Sequence, residues 1–379
     1  MSWAVPLTDV VITESDRRAV AECLEGGWLT MGPRTQRFEA ALSEWTGAPH
    51  AVAVSSATAA LHLSCRALDL GPGDEVIVPA LTFVATANAP RYTGARPVLC
   101  DVESPERPNL SAATVERCLT PRTRAVIAVH LCGYPADLGP LRELCAERGI
   151  ALLEDAAQAI GAEVEPGRQA GTVGALGCLS FFSKKQLCVG EGGAVLTADA
   201  ELAARVRSLR SHAMTSGTWD RHTGHAPSYD VVDVGYNFRL DEPRAALGLA
   251  RLPRLRADIE RRRAAVLRYR DALAGTPGLT LMWTDADVAR SSHFAFAVQF
   301  EGGEERRRVR EALAGLGIQT TRYPALHTFT ELAPLAVPGS LPAAEAAADR
   351  HLALPLSSHQ DDDSVDLVAG AVRDALRQG

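Results

Sequence analysis

Short apolar runs that alternate with helical patterns limit the possible folds more than any other feature of this sequence. These runs have the length of strands, and they lie at 51–54, 75–79, 96–100, 124–129 and 150–154. Strands that are apolar along their whole length are typical of a parallel sheet with helices on both faces. We therefore predict an α/β fold with a mostly parallel central sheet covered by helices.

The C-terminal third shows a different pattern, in which shorter elements follow one long predicted helix at 242–273. They are predicted strands near 279–283, 293–300 and 318–323 and helices near 304–316, 343–351 and 363–378. A chain of 379 residues is long for a single core. We therefore predict a large domain over residues 1–250, with an N-terminal helical segment, and a linking helix plus a smaller α+β domain over residues 251–379.

Composition argues against several classes of protein. A net charge of −7 is unlike the basic balance of a nucleic-acid binder. The eight cysteines form no C-x-x-C pair, which favours buried thiols in a reducing compartment over disulfides or a zinc site. The sequence shows neither a signal-peptide pattern nor an apolar stretch of transmembrane length. We expect a soluble, cytoplasmic protein that binds neither membranes nor nucleic acid.

Lys184 and Lys185 are the only lysines in the sequence, in which lysine and arginine together total 39 residues. A GC-rich genome would be the simplest cause of the preference for arginine, but it would not explain why a lysine pair is kept in an apolar, glycine-bounded segment. A lysine amine, unlike a guanidinium group, can lose its proton and attack a carbonyl. The pair is therefore either a Schiff-base lysine with its neighbour or two surface cations, and composition alone does not decide.

Two further segments have the character of ligand sites. The segment 55–58 (Ser-Ser-Ala-Thr) joins a predicted strand to a helix, where free N–H groups attract a phosphate; a plain N-cap is the alternative. Asp155 stands where a parallel strand ends, which is where open α/β sheets bind ligands; a cap on the next helix is the alternative. Because its surroundings are apolar, this carboxylate needs a cationic or N–H partner.

A phosphate site, a strand-end aspartate and a lysine 30 residues after it match the requirements of one cofactor, pyridoxal 5′-phosphate (PLP). A lysine binds its aldehyde, an aspartate keeps its ring nitrogen protonated, and a loop holds its phosphate. The combination is much more specific than any of its parts.

Seven motifs in order resemble the DegT/DnrJ/EryC1/StrS family of sugar aminotransferases, which are PLP enzymes of the aspartate-aminotransferase-like fold type I. The resemblance covers the chain from about residue 6 onward. The motifs are GWLTMGP (27–33), SATAALH (56–62), PALTFVATAN (79–88), VHLCG (129–133), EDAAQA (154–159), SFFSKKQLCVGEGG (180–193) and GYNFR (235–239).

By position, this resemblance implies that Lys185, and not Lys184, binds PLP and acts as general acid and base. It implies that Asp155 faces the pyridine nitrogen, that Gln158 lies near the ring hydroxyl and that Phe83 stacks on the ring. The phosphate ligands that it implies are Ala57, Thr58 and Ser180.

The resemblance also implies a homodimer with shared active sites, in which Asn237 reaches the phosphate of the neighbouring subunit's site. Tyr323 and His327 resemble a family segment near the substrate, with ordinary packing of the small domain as the alternative. The histidines at 212, 222 and 225 fit no standard metal spacing, so no metal is expected.

Three departures from the family pattern concern the pocket: Ala57 stands where glycine is common, Cys132 where tyrosine is frequent, and Gln186 where asparagine is frequent. Related dehydratases carry histidine at the lysine position, so Lys185 favours transamination. We expect a PLP-dependent aminotransferase (EC 2.6.1 type) that moves an amino group from glutamate or glutamine to a keto sugar, with a nucleotide-linked sugar as the expected acceptor, in amino-sugar or antibiotic biosynthesis. The alternatives are a cyclitol or other non-nucleotide acceptor, a PLP-dependent dehydratase, and a catalytically silent binding protein.

Overall fold

The computed structural model describes residues 3–336 and 340–377. The strands are β1 (His50–Val54), β2 (Glu75–Pro79), β3 (Arg96–Cys100), β4 (Thr123–Val129), β5 (Ala151–Asp155), β6 (Glu163–Glu165), β7 (Arg168–Gln169), β8 (Leu176–Ser180), β9 (Gly193–Thr197), β10 (Leu279–Leu281), β11 (Phe296–Phe300) and β12 (His351–Leu354). The helices are α1 (Glu14–Glu25), α2 (Pro33–Thr46), α3 (Ala57–Ala67), α4 (Val84–Tyr92), α5 (Ala112–Glu116), α6 (Leu138–Arg148), α7 (Ala200–Leu209), α8 (Thr218–His222), α9 (Glu242–Arg251), α10 (Leu255–Leu273), α11 (Asp285–Arg290), α12 (Gly303–Gly315), α13 (Pro342–Arg350) and α14 (Asp362–Arg377).

A seven-stranded sheet forms the centre of the molecule, in the order β1-β9-β8-β5-β4-β2-β3. Only β9 runs against the other strands, because it pairs antiparallel with both β1 and β8 while the remaining pairs are parallel. Neighbouring residues of one strand belong to different core clusters: Leu153 packs on one face and Leu152 on the other. The prediction of a mostly parallel sheet buried on both faces is confirmed.

A second, antiparallel sheet in the order β10-β11-β12 lies in the C-terminal part. The prediction of a strand at 318–323 is wrong: Ile318 and Thr321 make only isolated bridges, and the third strand is β12. The ladder beside β12 stops because the backbone N–H of Tyr323 donates to the side chain of His351 instead of to a carbonyl. The domain boundary near residue 250 stays a prediction.

The long helix predicted at 242–273 is interrupted. A 3-10 turn at Leu252–Arg254 separates α9 from α10, because Pro253 has no N–H group to continue the helical hydrogen bonds. The last predicted helix, 363–378, corresponds to α14, and Gln378 lies outside the described residues. Within the described ranges, no helix is both long and apolar enough to cross a membrane.

Candidate active site

Two of the predicted site residues, Asp155 and Ser180, lie at the carboxyl ends of neighbouring strands. Val129 of β4 lies opposite Asp155 of β5, and Asp155 lies opposite Cys178 of β8. Ser180 ends β8 and is buried. Parallel strands place their ends on one edge of the sheet, so the topology itself assembles these groups.

The carboxylate of Asp155 is fixed from two sides and is only 6% exposed. Its Oδ2 accepts a hydrogen bond from the hydroxyl of Thr86 at 2.7 Å, and its Oδ1 accepts from the backbone N–H of Ala157 at 3.1 Å. The expected N–H partner is therefore present, together with a hydroxyl donor. Residues 156–161 form turns and no helix, so Asp155 does not cap a helix.

The turn before α3 has the geometry of both an N-cap and an anion site. Oγ of Ser56 accepts from the N–H of Ala59 at 3.1 Å, which is an N-cap. The N–H groups of Ala57 and Thr58 belong to the first turn and have no acceptor within the helix. β9 packs tightly behind this turn, because a Cβ on Gly193 would lie 2.7 Å from the backbone nitrogen of Ala57. The two interpretations of this segment are therefore compatible.

Lys185 follows β8 in a turn closed by its own N–H, which donates to the carbonyl of Phe182 at 2.8 Å. Burial lowers the pKa of its amine to about 8, although the nearby Asp155 and Cys132 act in the opposite direction. A lysine with this pKa is partly uncharged near neutral pH, as a nucleophile or proton carrier must be. Lys184, the adjacent residue, is exposed.

A set of hydrogen bonds ties the loops around Lys185 to the segment before β11. Oε1 of Gln158 accepts from the N–H of Cys132 at 2.7 Å. Nε2 of Gln186 donates to the carbonyl of Gln158 at 2.8 Å and to Oγ of Ser292 at 2.9 Å. The departures Cys132 and Gln186 therefore belong to the framework that holds the lysine loop.

Tyr323 and His327 differ in their placement. The hydroxyl of Tyr323 hydrogen-bonds the thiol of Cys132, which faces Lys185, so Tyr323 reaches the site. Nε2 of His327 lies 3.4 Å from a carboxylate oxygen of Glu345 in α13. That contact favours the packing interpretation for His327.

The contacts of Asn237 and of two of the loop histidines involve none of the residues described above. Asn237 is exposed, and its backbone pairs with Ser211. His222 packs against the ring of Trp28, and His225 hydrogen-bonds a threonine hydroxyl. The described residues contain no group of three or more side chains that could hold a metal ion.

The residues fit PLP. Phe83 is 66% exposed although it lies between the buried residues Thr82 and Thr86, and Thr86 contacts Asp155. An aromatic face that is open beside a buried carboxylate can receive a planar ring. Ser180 and the start of α3 can hold its phosphate, and Lys185 can bind its aldehyde.

Sequence reasoning missed two residues of the site. Thr86 lies within one of the seven motifs. Its hydroxyl stands among the apolar residues Val84, Ala85 and Ala87, and it is a usable signal because Asp155 needs a hydrogen-bond donor. Phe294 lies with its ring centroid 4.1 Å from Nζ of Lys185. No sequence signal pointed to Phe294, because its proximity depends on how the C-terminal part folds back.

Comparison with known proteins shows which family the sequence matches. The sequence profile of the DegT/DnrJ/EryC1/StrS aminotransferase family matches residues 10–373. The spore coat polysaccharide biosynthesis protein SpsC of Bacillus subtilis is 35% identical, over 98% of this chain and 97% of SpsC.

Two solved structures share the fold over the full length of this chain. The aminotransferase TlmJ from Streptoalloteichus hindustanus superposes with a TM-score of 0.91 at 36% identity, covering 100% of both chains. The PLP form of Spr1654 from Streptococcus pneumoniae superposes with a TM-score of 0.90 at 27% identity, covering 100% of this chain and 99% of that one.

Proposed function

The chain belongs to the DegT/DnrJ/EryC1/StrS aminotransferase family, and on that premise we propose that it moves an amino group from glutamate or glutamine to a nucleotide-linked keto sugar. The family and its solved relatives make it a PLP-dependent aminotransferase of fold type I and of the sugar-aminotransferase type. The name of SpsC, which refers to polysaccharide biosynthesis, supports a sugar acceptor here.

The observation that carries the proposal is the placement of the Lys185 amine within electrostatic reach of the buried carboxylate of Asp155. When bound, PLP supplies an aldehyde that exchanges amino groups and a ring that takes up electrons from the substrate. Nζ of Lys185 removes and returns the proton, because its lowered pKa leaves part of it uncharged at neutral pH. The carboxylate of Asp155, oriented by Thr86 and Ala157, would accept a hydrogen bond from the protonated ring nitrogen.

The other cofactor contacts are proposed from the places of the residues in the family motifs. The backbone N–H groups of Ala57 and Thr58 and the hydroxyl of Ser180 would hold the phosphate. Gln158 would lie near the ring hydroxyl, and Phe83 would stack on the ring. Tyr323 remains a proposed substrate contact because it reaches Cys132 beside Lys185. His327 is the weaker proposal, since it pairs with Glu345.

Cofactor attachment can be tested with the two lysines. The protein loaded with PLP is reduced with borohydride, digested and mapped by mass spectrometry. We expect the label on Lys185, its persistence in Lys184→Arg and its loss in Lys185→Arg. A label on Lys184, or a protein that never binds PLP, would overturn the proposed function.

The acceptor can be tested by a matched screen. Keto sugars with and without a nucleotide, and keto cyclitols, are offered with glutamate or glutamine as the donor. We expect amination of a nucleotide-linked sugar with the highest kcat/KM. Faster amination of a cyclitol would replace the proposed acceptor and leave the aminotransferase activity in place, whereas elimination of water without amination would indicate a dehydratase.

We further propose a homodimer in which Asn237 of each subunit completes the partner's site. Asn237 is exposed and follows an exposed apolar segment that contains Val231, Val232 and Val234. Mixed dimers of Lys185→Ala and Asn237→Ala subunits give a direct test. If Asn237 acts on the partner's site, one site of the mixed dimer is intact and activity returns on mixing; if it acts on its own subunit's site, no site is intact and activity does not return.

We also propose the division into domains 1–250 and 251–379, which is supported by the seven-stranded sheet before residue 250 and the three-stranded sheet after it. A cytoplasmic location is proposed in keeping with the cysteines, all eight of which are free thiols. Limited proteolysis near residue 250 and fractionation of the producing cells test these two points.

A further inference from the structure

Phe294 presents the face of its ring to the amine of Lys185. Nζ lies 4.1 Å from the ring centroid, within the distance at which a cation is attracted to an aromatic face. Phe294 lies on the short segment that leads into β11, more than 100 residues after Lys185 in the chain. The contact therefore joins the lysine loop of the central sheet to the C-terminal sheet.

The backbone around Phe294 is held firmly against the loop that follows β4. The N–H of Ser292 donates to the carbonyl of Gly133 at 3.0 Å, and the N–H of Ala295 donates to the carbonyl of Cys132 at 3.2 Å. Gly133 has a φ of +89°, and a Cβ there would lie 2.8 Å from the nitrogen of Phe294. This close approach fixes the backbone from which the ring projects.

The amine of Lys185 has few other groups to stabilise its charge. The titratable groups that face it are the carboxylate of Asp155 on β5 and the thiol of Cys132 on the loop after β4. The hydroxyl of Tyr323 hydrogen-bonds that thiol. An aromatic face stabilises a cation most where water is excluded, so the ring of Phe294 can contribute substantially here.

We propose that Phe294 is a positioning residue that holds the protonated amine of Lys185 whenever this amine is not bonded to the cofactor. The inference rests on the proposed role of Lys185. Once the amine has taken up a proton, the ring would keep the amine beside Asp155. The amine would then be positioned to return that proton. A leucine at this position fills similar space but lacks the negative ring face.

Because the chain contains only two lysines, the pKa of the Lys185 amine can be measured directly. Protein labelled only in its lysines with ¹³C and ¹⁵N gives two side-chain signals, and Lys184→Arg assigns them. The pKa of each amine is then titrated by NMR in the apoprotein. In Phe294→Leu we expect the pKa of Lys185 to fall by roughly 0.4–1 unit, because the cation loses its ring face. Phe294→Tyr, which keeps the face, should leave it within about 0.2 unit.

Two controls separate this effect from a change in packing. Phe296→Leu removes a ring from the same strand region, but Phe296 stacks on Tyr269 in the core, and we expect no shift for Lys185. Phe294→Met repeats the test with another apolar shape and should lower the pKa as Leu does. An unchanged or raised pKa in both Phe294→Leu and Phe294→Met overturns the proposal.

Failure of this inference can be distinguished from failure of the proposed function. Borohydride mapping reports where the cofactor binds, whereas the titration uses apoprotein and needs no cofactor. If Lys185 is labelled but its pKa does not respond to Phe294, only the positioning role is lost. If Lys185 is not labelled, the proposed function fails whatever the titration shows.

Discussion

The hydroxyl of Thr86 donates to Oδ2 of Asp155 at 2.7 Å, and this hydroxyl lies 2.9 Å from that of Thr82. Because the Thr86 hydrogen is committed to the carboxylate, Thr82 must donate to the oxygen of Thr86. The aspartate is thus the end of a short chain of hydrogen bonds that begins on α4 and its preceding turn. The orientation of the Asp155 carboxylate therefore depends on Thr86.

Replacing Thr86 with valine should loosen this orientation. Valine has nearly the same shape but no hydroxyl, so Asp155 loses a buried donor. We expect the free energy of unfolding of the apoprotein to fall by about 1–2 kcal/mol and the affinity for PLP to fall with it. Urea unfolding and an absorbance titration with PLP measure the two effects. Thr86→Ser, which keeps the hydroxyl, should restore both; equal loss in Thr86→Ser and Thr86→Val would refute the role of the hydroxyl.

Glu154 and Asp155 are adjacent carboxylates that face opposite sides of β5 and have different roles. Glu154 points to the other face of β5, where its oxygens accept from the N–H groups of Gly171, Val173 and Gly174 at 2.6–2.7 Å. Burial alone would raise the pKa of Glu154, but His130 and these N–H groups outweigh it and hold the pKa below its usual value. This carboxylate holds the 171–174 turn in place.

We therefore expect Glu154→Gln and Asp155→Asn to fail in different ways. Glu154→Gln places an amide N–H₂ against N–H donors and should cost about 2–4 kcal/mol of stability. Asp155→Asn should change stability little but abolish transamination. Thermal unfolding and a single-turnover assay distinguish the two, and the expectation is wrong if Asp155→Asn is the less stable variant.

Much of the large sheet could be predicted because its strands are apolar along their whole length. That pattern gave β2 and β3 with their correct ends, and it placed Asp155 at the end of β5. The pattern could not predict whether Glu154 or Asp155 faces the site. That depends on the register of β5 with β4 and β8.

The contribution of the C-terminal part could not be predicted from local pattern. The sequence pattern predicts a strand at 318–323, but a ring nitrogen of His351 accepts the backbone N–H of Tyr323 that a ladder would need. Phe294 and Ser292 reach the lysine loop only through long-range packing. Periodicity carries no information about contacts of that kind.

His293 should make the protein sensitive to acid. Burial, with a smaller contribution from Arg263 and Arg262, lowers the pKa of His293 to about 3, and its ring nitrogens find no hydrogen-bond partner among the described residues. The unfolded chain therefore binds a proton below pH 6.5 that the folded chain does not, so stability falls as the pH drops from 6.5 toward 3.

The substitution His293→Asn removes this titratable ring, and asparagine tolerates the φ of +54° at the position. We expect the wild type to lose stability relative to this variant by up to about 1.4 kcal/mol per pH unit below pH 6. Urea unfolding of both proteins at pH 7, 6 and 5 measures the difference. A difference that stays constant over this range would show that His293 does not titrate.

Lys185 should destabilise the apoprotein at neutral pH, as expected of a residue placed for function. Its pKa is about 8 in the folded chain against 10.5 for an ordinary lysine, with burial as the main cause. Between these two values the unfolded chain binds a proton that the folded chain has lost, so stability rises with pH over the window from 8 to 10.5. Below pH 8 the free energy of unfolding is lowered by the full cost of burying the charged amine.

Lys185→Met keeps the length of the side chain without the charge. We expect this variant to be up to about 2 kcal/mol more stable than the wild type at pH 7, after allowance for the partial exposure of the residue. This advantage should shrink as the pH rises to 9.5, in urea unfolding of cofactor-free protein. Lys184→Met, which removes the exposed neighbouring amine, is the matched control and should show little change; a Lys185→Met protein less stable than wild type at pH 7 would contradict the burial of this amine.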